Sequence, residues 1–216
     1  MTGIITIDGL AGVGKSEVAM RLGKSLGWHV LHSGLLYRYI AYQALSENSV
    51  DNLNTIPQKW QDDLLSIRSY HSEEGTCILV NEQDVTQILR REDVARTASL
   101  LAQRQNLRDD LVTIQRHFCQ PPGLVAEGRD MASVIFPEAQ KKVFLSASVK
   151  VRAERRYKQL IMDGNSVNMA DIVTSIERRD KTDHDRASQT LKAHGAIVID
   201  TDGLTLEECL QTIVNR

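Results

Sequence analysis

Eight residues, Gly9-Leu10-Ala11-Gly12-Val13-Gly14-Lys15-Ser16, leave few folds open to this chain. They follow the β-branched run Ile4-Ile5-Thr6-Ile7-Asp8. They precede Glu17 to Leu26, where Val18, Met20, Leu22 and Leu26 recur at helical spacing. Strand, G-x-x-x-x-G-K-[ST] and helix in that order make a phosphate-binding loop, because a glycine-rich turn aims successive backbone N–H groups at one anion. The positive end of the following helix adds to that field. Lys15 then reaches the β- and γ-phosphates of a bound nucleotide, and the Ser16 hydroxyl faces its Mg²⁺.

Further strands are expected at 28–32, 124–127, 141–147 and 196–200, each a short apolar run bounded by turn signals. A helix is expected from Tyr37 through Leu45, after the Ser33-Gly34 turn. Strand–helix alternation of this kind predicts a parallel sheet of five strands with ligands at its carboxyl ends. The pattern changes after the polar stretch 48–58. Residues 66–70 and 76–80 read as paired strands around Ser72-Glu73-Glu74-Gly75, followed by a turn at 81–86, which suggests an inserted antiparallel unit. Glu92 to Phe118 contains neither Gly nor Pro and reads as helical until Pro121-Pro122-Gly123 ends it. The region between the last two strands is helical and arginine-rich, interrupted at Asp163-Gly164-Asn165-Ser166.

Composition removes several classes of function. A formal charge of −2 gives no global attraction to nucleic acid or to an anionic membrane. Cys77, Cys119 and Cys209 are few and widely spaced, so neither a disulfide framework nor a metal knuckle is expected. No run is long enough to span a bilayer, and the N-terminus enters a strand without the pattern of a secretion signal. The expectation is a cytoplasmic protein.

Three groups of arginines point to phosphate chemistry. Arg152, Arg155 and Arg156 share one helix face, as do Arg179, Asp183 and Arg186, and Arg129-Asp130 directly follows a predicted strand end. Phosphoryl transfer spreads negative charge over oxygens in its transition state, and a guanidinium fork matches those oxygens while staying charged. Asp8, Glu127 and Asp130 are the candidate acids near Mg²⁺. The six histidines lack ligand spacing, and Trp28 and Trp60 read as packing residues.

These motifs together resemble the bacterial cytidylate kinases, nearly end to end. The carrying segments are T-I-D-G-L-A-G-V-G-K-S at 6–16, L-H-S-G-L-L-Y-R at 31–38 and D-V-T-Q-I-L-R at 84–90 with V-A-R-T-A-S after it. L-R-D-D-L-V-T-I-Q-R at 107–116, G-L-V-A-E-G-R-D-M at 123–131 and R-R-D-x-x-D-x-x-R at 178–186 complete the set. The resemblance implies an α/β P-loop NTPase fold: a five-stranded parallel core sheet flanked by helices, with core residues 1–47 and 119–216. It also implies a small antiparallel acceptor-nucleotide insertion over about 48–118 and a lid over about 152–168.

The implied activity is ATP-dependent phosphorylation of CMP and dCMP with Mg²⁺, in a monomer that binds neither nucleic acid nor membrane. ATP is implied to meet Gly9, Leu10, Ala11, Gly12, Val13, Gly14, Lys15, Ser16, Glu17, Arg152 and Arg156. Ser99, Arg108 and Asp183 match the positions that read the cytosine edge. Arg38, Arg129 and Arg186 match those holding the acceptor phosphate and the transferring group, and Ser33, Asp130 and Arg179 those around the ribose and acceptor site. Lys15, Arg129, Arg179 and Arg186 carry the implied catalysis, and Ser16 the metal.

This chain departs from the family pattern at His32, where an Asp is usual, at Ala132-Ser133 in place of Gly-Thr, at Leu10-Ala11 in place of Pro-Ser and at Thr182 in place of an arginine found in some members. Three other readings stay open at this point: a P-loop kinase for another acceptor such as UMP or AMP, a nucleotide-binding regulator without catalysis, and an RNA-binding module using the 150–186 arginines.

Overall fold

A computed structural model of the chain describes residues 2–72, 75–162, 164, 166–191 and 195–215, without the side chains of 71, 72, 75 and 184–191. The opening run forms β1 (Gly3–Gly9), and the glycine loop turns into α1 (Lys15–Leu26). The chain returns as β2 (His29–His32) and leaves through α2 (Ser33–Ser46). Next come α3 (Gln58–Ser66), the strands β3 (Arg68–Ser72), β4 (Gly75–Val80) and β5 (Gln83–Asp84), and the helices α4 (Thr86–Arg90), α5 (Glu92–Leu101) and α6 (Gln105–His117). The rest of the chain is β6 (Gly123–Gly128), β7 (Lys141–Ser146), α7 (Val149–Met162), α8 (Met169–Leu191), β8 (Ala196–Asp200) and α9 (Leu206–Asn215).

Five strands pair in the order β2-β6-β1-β7-β8, every pairing parallel. This is the α/β P-loop architecture, a parallel sheet with helices on both faces. The two central strands are covered from both sides and so read as continuous apolar runs: all six residues of β6 are buried, and six of the seven in β1. The edge strand β8 alternates toward solvent, with Val198 exposed. A second sheet, β3-β4-β5, is antiparallel.

Apolar packing joins these parts. On one face of the parallel sheet, Ile4, Leu31, Leu124 and Ala126 share a continuous core with Ile40, Trp60, Leu64, Ile78, Leu101 and Leu111. The antiparallel unit therefore packs into the same core as the sheet. The other face buries Ile5, Ile7, Val125 and Val143 against Val18 and Leu22 of α1 and Cys209 and Ile213 of α9. Trp28 lies across the start of β1 and β6. A Cβ at Gly3 would fall 2.3 Å from Trp28 Cη2, and one at Gly123 2.2 Å from its Cδ2.

Three local expectations differ from the structure. The stretch 48–58 buries Leu53 and Ile56, and α3 follows it at once, burying Trp60 and Leu64. The helix expected from Glu92 to Phe118 is two helices broken at 102–104, without Gly or Pro. There Arg104 turns in and donates to the carbonyls of Val50 and Leu53, each at 2.7 Å. Finally, α2 begins four residues before Tyr37, directly at Ser33. The hairpin residues Glu73 and Glu74, and Asp163 and Asn165 between α7 and α8, lie outside the described residues.

Candidate active site

The carboxyl ends of β1, β2 and β6 meet where the glycine loop begins. Gly9 leaves β1 with φ of 148°, and a Cβ on it would lie 2.3 Å from the Leu145 carbonyl oxygen, so only glycine passes. Gly14 takes a left-handed conformation (φ 97°) as α1 starts, which leaves the first N–H groups of that helix facing the loop. Lys15 is buried, and its Nζ donates to the Leu10 carbonyl at 2.8 Å. Burial, followed by the charge of Arg129, pushes the ammonium down to about 7 against the pull of Glu127, Asp8 and Asp183.

The three candidate acids have separate partners. Asp8 is fully buried and accepts the backbone N–H groups of Met131 (2.8 Å) and Ala132 (2.9 Å), tying the turn after β6 to β1. Burial raises it to about 7 in spite of those bonds. Asp130 accepts from Arg108 Nη2 at 2.7 Å. Glu127 lies beside the loop: its Oε1 accepts from Ser16 Oγ at 2.9 Å and is 3.0 Å from His32 Nδ1. Burial works to raise the Glu127 carboxyl, but the His32 hydrogen bond, the Lys15 charge and the Ser16 hydrogen bond outweigh it and hold it at about 2.

Beyond the loop, cations gather. Arg129 donates from Nε to Asp183 Oδ2 at 2.9 Å. Arg38, on α2, donates to the Leu89 carbonyl and is pushed down to about 10 by burial and then by Arg179 and Arg156. Arg179, on α8, is lowered by burial and then by Arg129, and its buried Nε has no hydrogen-bond partner among the described residues. Arg156 reaches across from α7 to Glu92 at the start of α5, 3.7 Å away. Like charges gathered in partly buried surroundings oppose each other's ionisation, so an anion arriving among these arginines would be stabilised.

The arginines that share a face of α7 divide their work. Arg152, 2% exposed, donates to the loop carbonyl of Ala11 (3.2 Å), to Ala147 O (3.1 Å) and to both carboxylate oxygens of Asp180 on α8. Arg155 donates to Val13 O (3.2 Å), Thr201 Oγ1 (3.1 Å) and Thr201 O (2.9 Å). Both therefore hold the glycine loop from behind, through its carbonyls. Asp180 and Thr201 carry no expected role in the site, and Arg155, expected among the phosphate-directed arginines, faces the Val13 carbonyl instead. Spacing put Arg155 beside Arg152, while nothing in the sequence singles out Thr201.

Of the other candidate residues, Ser33 is buried at the start of α2, Ser99 is half-buried on α5, and Glu17 is turned outward to Arg21 at 3.1 Å. Arg186 lies on α8, with its side chain outside the described residues.

The family model for cytidylate kinase matches residues 5–216. The chain belongs to the cytidylate kinase family. It is 43% identical to a cytidylate kinase of Marinomonas sp. over 97% of this chain and 93% of the relative. A cytidylate kinase of Acinetobacter baylyi is also 43% identical, over 98% and 95%, and one of Pseudomonas syringae 42% identical, over 99% and 94%. In this member of the cytidylate kinase family the loop lysine is Lys15, and a histidine, His32, stands against Glu127.

Proposed function

We propose that this chain transfers the γ-phosphoryl group of ATP to the phosphate of CMP or dCMP. The observation that carries the reading is the gathering of four half-buried arginines, Arg38, Arg129, Arg156 and Arg179, which depress one another's ionisation, with the buried Arg179 Nε unpartnered among the described residues. Phosphate oxygens supply what that cluster lacks.

In this reading the loop 9–16 cradles the ATP phosphates and Lys15 bridges the β- and γ-groups. Arg38, Arg129, Arg179 and Arg186 hold the acceptor phosphate and the transferring group. The acceptor oxygen is ionised near neutral pH, since the second phosphate pKa is about 6, so no general base is required. Catalysis is in-line positioning plus neutralisation of developing charge. Ser99, Arg108 and Asp183 read the cytosine edge, Asp183 by accepting from the C4 amino group. A carboxylate has lone pairs enough to do so while holding Arg129. Ser33 and Asp130 attend the ribose.

Hard oxygen donors suit Mg²⁺, and the Ser16 hydroxyl with the Glu127 carboxylate behind it is such a set. With its O–H engaged as a hydrogen-bond donor to Glu127, the Ser16 oxygen keeps lone pairs for a cation, which would neutralise the β- and γ-phosphates. Residues 48–118 form the acceptor unit and 152–168 the lid, with Arg156 as the lid contact to ATP and Arg152 as the brace of its loop. Lid closure excludes the water that would otherwise compete for the phosphoryl group. No helix among the described residues is long and apolar enough to cross a membrane, and we place the enzyme in the cytoplasm as a monomer.

The test is ADP release from Mg·ATP with CMP, dCMP, UMP and AMP offered separately against a blank without acceptor. Turnover favouring CMP and dCMP is expected. Preference for another acceptor overturns the base-site roles, and four rates equal to the blank overturn the activity.

A further inference from the structure

His32 ends β2 and Glu127 stands opposite it on β6, register partners across a parallel ladder. Both side chains are buried, 6% and 8% exposed, with Nδ1 and Oε1 3.0 Å apart. An ionised carboxylate has no proton to give, so both hydrogen bonds at Glu127 Oε1 are donated to it, one by Ser16 Oγ and one by His32 Nδ1. The Nδ1 atom therefore carries hydrogen whether the ring is neutral or charged. The second ring nitrogen, Nε2, is buried and has no partner among the described residues. His32 also lines a cavity of about 10 Å³ that Ser69 and Phe118 border. No other hydrogen bond orients the imidazole among the described residues, so its polar work is directed at Glu127.

We infer that His32 is the positioning residue of the cation site: it sets the rotation of the Glu127 carboxylate so that Oε1 holds the Ser16 hydroxyl proton and the Ser16 oxygen faces the divalent ion. The inference rests on the reading of Ser16 and Glu127 as the cation end of the site. Without the Nδ1 donor the carboxylate is free to turn toward Lys15, and the Ser16 hydroxyl loses its fixed direction. Outer groups that orient metal ligands typically govern affinity by about 10–100-fold. A second acid at position 32 would do the reverse of this imidazole, setting one carboxylate against another.

The test measures Mn²⁺ binding to the protein–ADP complex by water-proton relaxation, beside ADP binding without metal and thermal midpoints. His32→Leu removes the donor, His32→Asn places an amide N–H where Nδ1 lies, and Glu127→Gln probes the underlying reading. The expected result is Mn²⁺ binding weakened about tenfold in His32→Leu and about as tight as in the unaltered protein in His32→Asn, with metal-free ADP binding unchanged in both. If Glu127→Gln weakens Mn²⁺ binding while His32→Leu does not, the positioning role falls and the cation reading stands. If Glu127→Gln binds Mn²⁺ as tightly as the unaltered protein, the cation reading falls first. Equal losses in His32→Leu and His32→Asn, or a matching loss of metal-free ADP binding, would reduce His32 to a packing residue and overturn the inference.

Discussion

Replacing Asp180 with alanine leaves the Arg152 guanidinium buried, with the carbonyls of Ala11 and Ala147 as its remaining acceptors among the described residues. Removing one partner of a fully buried ion pair costs about 3–5 kcal/mol, because a charge is stranded away from water. The Arg152 side chain is 3% exposed but that of Asp180 is 20% exposed, so water partly screens the pair and the lower end, about 3 kcal/mol, applies. For a chain of this size, that is a fall of roughly 6–12 °C in thermal midpoint. The same arginine holds the loop at Ala11, so the apparent KM for ATP rises severalfold while that for CMP stays within about twofold. Calorimetry and steady-state kinetics with each substrate varied in turn read the two effects. A midpoint lowered by less than about 2 °C with an unchanged KM for ATP would refute the view of Arg152 as a brace behind the loop. Asp180→Asn, which keeps one acceptor, is expected to fall between.

Three further outcomes follow from the same geometry. Lys15→Met removes a buried ammonium whose burial depresses it to about 7. Turnover should fall at least 100-fold because a cation at the transferring phosphate is lost, and because a cation of lowered pKa costs stability at neutral pH the midpoint of the nucleotide-free protein should not drop. Near-normal turnover would remove Lys15 from the chemistry. Glu127, held at about 2 against a usual 4.5, contributes stability that is complete above pH 4.5 and lost as pH falls toward 2. The full contribution is about 3 kcal/mol, so Glu127→Gln should shrink the gap between urea midpoints at pH 7 and pH 3, and an unaltered gap would contradict its charge in the folded state. Asp183→Ala should weaken CMP far more than ATP in equilibrium binding, and equal losses would count against its reading the base.

The parts of this structure legible from residues alone are those made by local chemistry. The five core strands are short apolar runs with turn signals at their ends, and the glycine loop announces itself by spacing. What escaped depends on contacts between distant segments. The break between α5 and α6 carries no helix-breaking residue and follows from Arg104 reaching back to Val50 and Leu53. The spacing of Arg152, Arg155 and Arg156 places them on one face but does not say that two of them turn to the loop and the third to Glu92. His32 and Glu127 are 95 residues apart, and only the register of β2 on β6 makes them partners.

Trp28 draws Gly3 and Gly123 into a shared history. Its ring occupies the space a Cβ would need at either position, 2.3 and 2.2 Å away. Neither glycine can gain a side chain while the indole stays, and loss of the indole first would open a void over two strand starts. Descent of this sequence is therefore channelled at these three positions: any lineage that abandons the tryptophan is released to diversify at 3 and 123, and any lineage that keeps it is not.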